Sequence, residues 1–318
     1  MKIACLQFAP QVGDVEKNLS RADAVLSKAN SEDIDLLVLP EMAFSGKSRI
    51  PDIFSDNDLS DSRLTNYIGY NFSSLKHITP YLEFATFGTT SLWAKKTALK
   101  HNCIVTVGYP EKVDPCSSES AKPEYYNSTL TVNKEGKIVA NYRKSFLYYT
   151  DETWAHEGSG FFNGHIDGLG NVAIGICMDL NPYKFEAPWN AYEFAYHVLH
   201  KQANIVMLSM AWLTREDQKS FGLLAKEPDM ETISYWIARL EPILRADVTG
   251  EIIIVLANRC GTEREATYAG TSAVLGIKNG EVRVYGLLGR GEEELLIVDT
   301  NEHPKAKIVS QARSAQSN

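Results

Sequence analysis

Short apolar segments recur along the chain and alternate with segments of helical periodicity. Residues 3–8 and 34–40 are predicted as strands, and the unbroken apolar run within 34–40 is typical of a strand buried on both faces. Residues 15–28 carry apolar side chains at helical spacing. Further strands are predicted at 104–109, 125–132, 138–142, 171–177, 204–209, 251–258, 271–277 and 295–299, and further helices at 91–101, 191–202 and around 233–244. This order predicts an α/β fold in which helices cover the faces of sheets.

The chain shows no internal repeat and no shift in composition, so a single domain is predicted over residues 1–303. Residues 304–318 are polar and are predicted as a C-terminal tail. Residues 112–123 are rich in Ser, Pro and charge and are predicted as a surface loop inside the domain. Three late glycines open no helix and are predicted as turn residues: Gly286, Gly289 and Gly291.

Composition is that of a soluble globular protein. The chain has 318 residues, of which 44% are hydrophobic and 23% charged, and its formal net charge is −8. An acidic chain offers no electrostatic footprint for nucleic acid or an anionic membrane, and its apolar runs are far shorter than the roughly 20 residues of a spanning helix.

The five cysteines are widely spaced without a CxxC motif, and the N-terminus lacks the features of a secretory signal. A cytoplasmic protein without a disulfide framework is therefore expected.

Three reactive residues lie at the ends of predicted strands. Glu41 comes directly after the second strand, Lys144 closely follows the strand at 138–142, and Cys177 ends the strand at 171–177. In sheets of this class, ligands gather at the carboxyl ends of the strands. A carboxylate, an ammonium and a thiol together supply a base, a charge stabiliser and a nucleophile for attack on a carbonyl. Each residue alone is weak evidence, because a Glu after a strand is usually solvated and a buried Cys usually packs.

The segments around these three residues are similar to motifs of the nitrilase, or carbon–nitrogen hydrolase, superfamily. The matching segments are Leu39-Pro40-Glu41, Tyr142-Arg143-Lys144 and Gly175-Ile176-Cys177-Met178-Asp179. The resemblance is greatest to a fungal branch that acts on protein N-termini, through Leu180-Asn181-Pro182-Tyr183-Lys184-Phe185 and Met210-Ala211-Trp212-Leu213. It implies an αββα sandwich, in which two mixed sheets pack face to face with helices outside.

The resemblance also implies an activity and a mechanism. The activity is hydrolysis of the side-chain amide of an N-terminal Asn or Gln, which gives Asp or Glu and ammonia and feeds an N-degron degradation pathway. Glu41 is expected as the base, Cys177 as the nucleophile that forms a thioester, and Lys144 and the Met178 backbone N–H as oxyanion donors. Lys144 is also expected to lower the pKa of Cys177. The resemblance implies neither a metal nor a cofactor.

Other residues near these motifs are further candidates for the site. The superfamily often carries a second Glu shortly after the lysine, and here the nearest candidate is Glu152, with Asp151 adjacent, in a catalytic or a structural role. Asp179 is expected on the substrate side of the site, where it orders the turn after the nucleophile. Trp212, in one of the matching segments, is expected to contribute to substrate binding.

A protein N-terminus differs from an internal residue by its free α-ammonium, which needs a carboxylate or several acceptors when it is desolvated. Glu111 follows the strand at 104–109 and is the candidate for that role, with an ordinary surface carboxylate as the alternative. Protein or peptide N-termini are the expected partners, and homodimerisation is left open.

Two other functions remain open at this point. One is a small-molecule amidase or carbamoyl hydrolase of the same superfamily, and the other is a binding protein that keeps the fold without chemistry.

Gly46-Lys47-Ser48 imitates the end of a P-loop, but the first glycine of that loop would fall on Glu41. Glu193, His197 and His200 share one helical face and are predicted as exposed surface rather than as a metal site.

Overall fold

Two mixed β-sheets form the centre of the molecule. The computed structural model describes residues 1–30, 33–45, 72–114, 123–263 and 265–309, so the P-loop-like segment at 46–48 lies outside the described residues. The first sheet has the spatial order β14 (Glu294–Asp299), β1 (Lys2–Gln7), β2 (Leu36–Val38), β3 (Ile104–Val113), β4 (Glu124–Val132) and β5 (Ile138–Arg143). The second has the order β15 (Ala306–Val309), β13 (Glu281–Leu287), β12 (Ala273–Lys278), β9 (Ile252–Asn258), β8 (Ile205–Met210), β7 (Gly170–Ile176) and β6 (Phe162–Ile166). Two short strands, β10 (Thr262–Glu263) and β11 (Ala266–Thr267), pair with each other.

The main core lies between the two sheets. In β1, Ile3 and Cys5 face this core, whereas Ala4 and Leu6 face outward under the helices. In β8, Ile205 and Met207 face the core, whereas Val206, Leu208 and Met210 face outward. Both faces of these strands are apolar, which explains why the strand segments show unbroken hydrophobic runs rather than polar alternation.

Helices cover the outer face of each sheet. The first sheet carries α1 (Val15–Leu26) and α3 (Thr89–His101), and the second carries α4 (Glu193–His200), α6 (Met230–Arg239) and α7 (Glu241–Arg245). Two short helices, α2 (Leu75–Ile78) and α5 (Gln218–Leu223), lie in connecting segments. Asp14 caps α1 and Asp229 caps α6, each accepting from a backbone N–H three residues on. The predicted αββα sandwich is confirmed.

The strand β3 runs four residues beyond its predicted end and includes Pro110 and Glu111. The strands β6, β10, β11, β13 and β15 were not predicted. Gly286 lies inside β13 and is not a turn residue, because it pairs with Val274 of β12 and the next residue, Leu287, pairs with Ala273. The predicted tail begins with β15, which pairs with β13, and the boundary at residue 303 stays a prediction. Among the described residues, no helix combines the length and the apolar composition needed to cross a membrane.

The parallel pairs bring particular strand ends together. β1 and β3 flank β2 as parallel neighbours, and β7, β8 and β9 run parallel to one another. Glu41, Cys177 and Ala211 follow the carboxyl ends of β2, β7 and β8, and the candidate site lies at these strand ends.

Candidate active site

Glu41 lies three residues after β2, and its side chain is buried between the sheets, with 1% of its surface exposed. One carboxylate oxygen accepts hydrogen bonds from Lys144 Nζ and Asn127 Nδ2, both at 2.7 Å. The other accepts from the Ala211 backbone N–H at 3.0 Å. A Cβ atom at Gly108 would lie 2.7 Å from the Glu41 Cα, so only glycine lets β3 approach this closely. Contacts from both sheets thus fix the Glu41 carboxylate.

Lys144 follows β5 directly, and its ammonium is 1% exposed. Besides Glu41, Nζ contacts Asp151 Oδ2 at 2.6 Å. Asn127 Nδ2 also donates to Asp151 Oδ1 at 3.1 Å, so one amide contacts both carboxylates. Burial would lower the pKa of Lys144, but the charges of Asp151 and Glu41 outweigh it and raise this pKa. Lys144 therefore carries its charge throughout the neutral range.

Cys177 begins a 3-10 turn, Cys177–Leu180, at the end of β7 and is half-buried. Its φ of 40° lies in the left-handed region, which a residue with a Cβ rarely adopts and which is common among residues held at functional sites. Burial raises the pKa of the thiol, the Glu41 charge raises it further, and Lys144 opposes both. Lys144 was expected to lower this pKa; its charge does lower it, but by less than burial and Glu41 raise it. The resting thiol is therefore protonated at neutral pH.

Asp179 connects the backbone just before the thiol to the segment that follows Lys144. Its carboxylate accepts from Ile176 N at 2.7 Å, Phe146 N at 2.8 Å and the Tyr142 hydroxyl at 2.7 Å. Burial raises the pKa of Asp179 to about 6, against the hydrogen bonds from the two backbone groups. Since Asp179 is fully buried and these donors occupy both oxygens, the structure gives it the turn-ordering role and not a surface for substrate.

The structure brings Glu41, Lys144 and Cys177 together and distinguishes between the two acidic residues after the lysine. Asp151 is 1% exposed and bonded to Lys144, so it belongs to the cluster. Glu152 is exposed and lies 3.8 Å from the Lys184 ammonium instead. Trp212 lies two residues after β8, beside the strand that carries Cys177, and its ring packs against Tyr235 on α6.

The structure does not bring Glu111 to this site. Val105, Val107 and Tyr109 of β3 face the helices, and alternation along the strand places Glu111 on that same outer face. There it forms an ion pair with Arg143 at 2.8 Å and accepts from Ser128 Oγ at 2.6 Å. The interpretation of Glu111 as the reader of an α-ammonium is therefore wrong, because the sheet separates its carboxylate from the thiol and Arg143 already neutralises it.

Two contributors to the site escaped the sequence analysis. Asn127 lies inside β4, where an amide has no distinguishing pattern, and the Ala211 backbone N–H gives no sequence signal at all. Together with Glu41, Lys144 and Cys177 they make a site that holds a buried carboxylate, a cation and a thiol, at strand ends of both sheets. This arrangement suits attack on a carbonyl carbon, with Glu41 removing the thiol proton and Lys144 stabilising negative charge.

Comparison with known proteins agrees with this chemistry. The model of the carbon–nitrogen hydrolase family matches residues 2–181. The protein N-terminal amidase of Schizosaccharomyces pombe is 30% identical over 313 residues, which is 93% of this chain and 98% of that protein. The protein N-terminal amidase of Saccharomyces cerevisiae is 31% identical over 235 residues, which is 67% of this chain but 45% of that longer protein.

Solved structures show the same fold. A crystal structure of an N-terminal amidase with an Asn-Glu peptide superposes with a TM-score of 0.75, covering 93% of this chain and 96% of that one at 23% identity. The family model covers more than half of the chain, and the S. pombe relative is similar over nearly its full length. The chain therefore belongs to the carbon–nitrogen hydrolase family.

Proposed function

We propose that this protein is an N-terminal amidase, which converts an N-terminal Asn or Gln to Asp or Glu and releases ammonia. The observation that carries the proposal is the buried cluster of Glu41, Lys144 and Cys177, in a chain 30% identical to a protein N-terminal amidase over almost its whole length. The proposal includes a cytoplasmic location and an N-degron pathway as the consumer of the product, both of which rest on the sequence resemblance.

The first half-reaction forms a thioester. The Cys177 sulfur attacks the amide carbon while its proton passes to Glu41, because a thiol of raised pKa needs a base during attack. The carbonyl electrons move to oxygen, and Lys144 and the Met178 N–H stabilise the oxyanion. Met178 is the second residue of its turn, so its N–H is among those without a partner inside the turn. Glu41 then gives its proton to the nitrogen, the C–N bond breaks, and ammonia leaves.

In the second half-reaction water is the nucleophile and the Cys177 sulfur is the leaving group. A water molecule attacks the thioester carbon and gives a proton to Glu41. The intermediate collapses, the C–S bond breaks, and the thiolate recovers the proton from Glu41. Glu41 alone serves both half-reactions, while Asp151 and Asn127 hold Lys144 and Glu41 in place through the bonds described above.

Selection of a free N-terminus is supported by the charge of the cluster. Glu41 and Asp151 carry two negative charges against the single positive charge of Lys144, so the buried cluster has one net negative charge. The α-ammonium of an N-terminal Asn lies only a few bonds from the reacting amide carbon. A cation at that place is favoured in a site with an excess of negative charge.

The test is ammonia release from matched peptides. We expect Asn-Ala to react and N-acetyl-Asn-Ala to lose kcat/KM by the equivalent of about 2–5 kcal/mol, the cost of removing one member of a buried charge pair. An Asn at an internal position should not react. Equal kcat/KM for the free and acetylated peptides would reject the hypothesis that the enzyme requires a free N-terminus, and would favour a small-molecule amidase. Absence of covalent trapping at Cys177 by an electrophilic amide mimic would favour a non-catalytic binding protein.

A further inference from the structure

The turn that carries the nucleophile is closed by Asn181. Its backbone N–H donates to the Met178 carbonyl at 2.9 Å, and its side-chain Nδ2 contacts the Met178 sulfur at 3.4 Å. Asn181 is 4% exposed. A buried amide needs partners for both its donor and its acceptor ends, and Met178 occupies only the donor end.

The acceptor end of Asn181 is bonded by a helix distant in sequence. Tyr235 on α6 donates its hydroxyl proton to Asn181 Oδ1 at 2.7 Å. The ring of Tyr235 packs between Trp189 and Trp212, with centroid distances of 5.5 and 5.4 Å. Tyr235 lies beyond residues 2–181, which the family model matches.

A second contact docks α6 on the same turn without Tyr235. The Arg239 guanidinium, also on α6, is 1% exposed and donates from Nε to the Leu180 carbonyl at 2.9 Å. It also lies over the Trp189 ring, 4.7 Å from its centroid. Loss of the Tyr235 hydroxyl should therefore leave the helix in place and remove only the bond to Asn181.

We infer that Tyr235 and Asn181 are positioning residues that hold Met178 for the reaction, and this rests on the proposed function. The chain of contacts runs from the Tyr235 hydroxyl through the Asn181 amide to Met178, whose N–H is the proposed oxyanion donor. Without the hydroxyl, the buried Asn181 carbonyl loses its partner and the amide must turn toward another donor. Nδ2 then leaves the Met178 sulfur, and the Met178 N–H shifts from the place where the oxyanion forms.

The experiment compares Tyr235→Phe with Tyr196→Phe, which alters an exposed tyrosine on α4. Two quantities are measured for the full chain: steady-state ammonia release from Asn-Ala, and the rate of Cys177 alkylation by iodoacetamide. We expect Tyr235→Phe to lower kcat about tenfold, less than the loss of a whole oxyanion donor, while KM stays within about twofold. The alkylation rate and the melting temperature should match wild type, because alkylation forms no oxyanion. Tyr196→Phe should change none of these quantities.

A second variant tests the connection between the two residues. Asn181→Ala should also lower kcat, and the double variant Asn181→Ala with Tyr235→Phe should be no slower than Asn181→Ala alone, because both changes break one chain of contacts.

Additive losses would overturn the inference, as would wild-type kcat in Tyr235→Phe. A change confined to KM would make Tyr235 a substrate contact, and a parallel loss of alkylation would place its effect on the thiol. Either result overturns the assignment to Met178. If wild type releases no ammonia from Asn-Ala, the proposed function fails at that control, before the variants are compared.

Discussion

Neighbouring residues on β4, and at the end of β5 and just after it, enter two charge clusters on opposite faces of the first sheet. On β4, Asn127 faces the second sheet and Ser128 faces the helices; next to it, Arg143 ends β5 and Lys144 follows. The inner cluster consists of Glu41, Asn127, Lys144 and Asp151. The outer cluster consists of Glu111, Ser128, Asn141 and Arg143.

The two clusters differ in charge balance and in what lies beside them. In the outer cluster one carboxylate faces one guanidinium, which contacts both oxygens of Glu111 and lies 4.0 Å from the Tyr126 ring centroid. In the inner cluster two carboxylates face one ammonium. The thiol of Cys177, whose backbone is in the left-handed region, lies next to them. A buried carboxylate paired with a cation is therefore not a sign of chemistry by itself. The excess charge and the adjacent nucleophile distinguish the inner cluster.

The thiol is the feature of the inner cluster with the largest expected effect. Cys177→Ser should lower turnover by about 10⁴-fold or more, because the hydroxyl is nearly isosteric but far less ionised than a thiol. The melting temperature should stay close to that of wild type. Ammonia release and thermal unfolding measured together decide this. Wild-type turnover in the variant would exclude Cys177 as the nucleophile.

The same substitution in both clusters separates their roles. Glu41→Gln should lower kcat by roughly 10²–10⁴-fold, because Gln keeps the size and the hydrogen bonding but cannot take a proton. Glu111→Gln should leave kcat within about threefold of wild type, since it acts on the far face of the sheet. Mass spectrometry of the Glu41→Gln enzyme after mixing should show no thioester. A full ammonia burst with a stalled thioester would mean that Glu41 serves deacylation only.

The parts of the site that the sequence predicted are those with a positional signal. Glu41, Lys144 and Cys177 each lie at a strand end that the hydrophobic pattern marks, and local motifs support them. Asn127 has no such signal, because a buried amide inside a strand resembles any polar residue of a half-buried strand. Asp151 could not be separated from Glu152, since two adjacent loop residues differ only in the direction that the folded backbone gives them.

Glu111 was misplaced because the predicted strand ended at residue 109, whereas β3 continues through Pro110 to Val113. On one side, the Pro110 carbonyl accepts from Glu83 N at 2.8 Å; on the other, the Asn127 carbonyl is turned toward Lys144 N. The pairing of Pro110 with Asn127 therefore needs no N–H from the proline, and β3 continues through it. Once the strand includes residue 111, alternation alone assigns Glu111 to the face of Tyr109.

The outer cluster should show its role in stability. Glu111→Gln should lower the free energy of unfolding by about 1–3 kcal/mol, because the buried site loses the charge that Arg143 and Ser128 contact. Glu294→Gln is the matched control, since its ion pair with Lys28 is exposed on both sides and should contribute less than about 1 kcal/mol. Urea unfolding of the three proteins measures this. Equal stability of both variants would mean that the outer cluster is not a stabilising element.

The smallest expected effect concerns the pKa of Cys177 and tests the charge balance directly. Burial and Glu41 raise this pKa, so the thiolate fraction at neutral pH is small and the iodoacetamide reaction of wild type should still accelerate above pH 8.5. Glu41→Gln removes the negative neighbour and leaves Lys144 with one carboxylate fewer. The pKa of the thiol should then fall, and alkylation at pH 7.5 should become several-fold faster although turnover is lost. Glu111→Gln should give the wild-type pH profile, because Arg143 and Glu111 lie behind the sheet. Slower alkylation of Glu41→Gln at every pH would contradict this account and would show that Glu41 withdraws the thiol proton even without substrate.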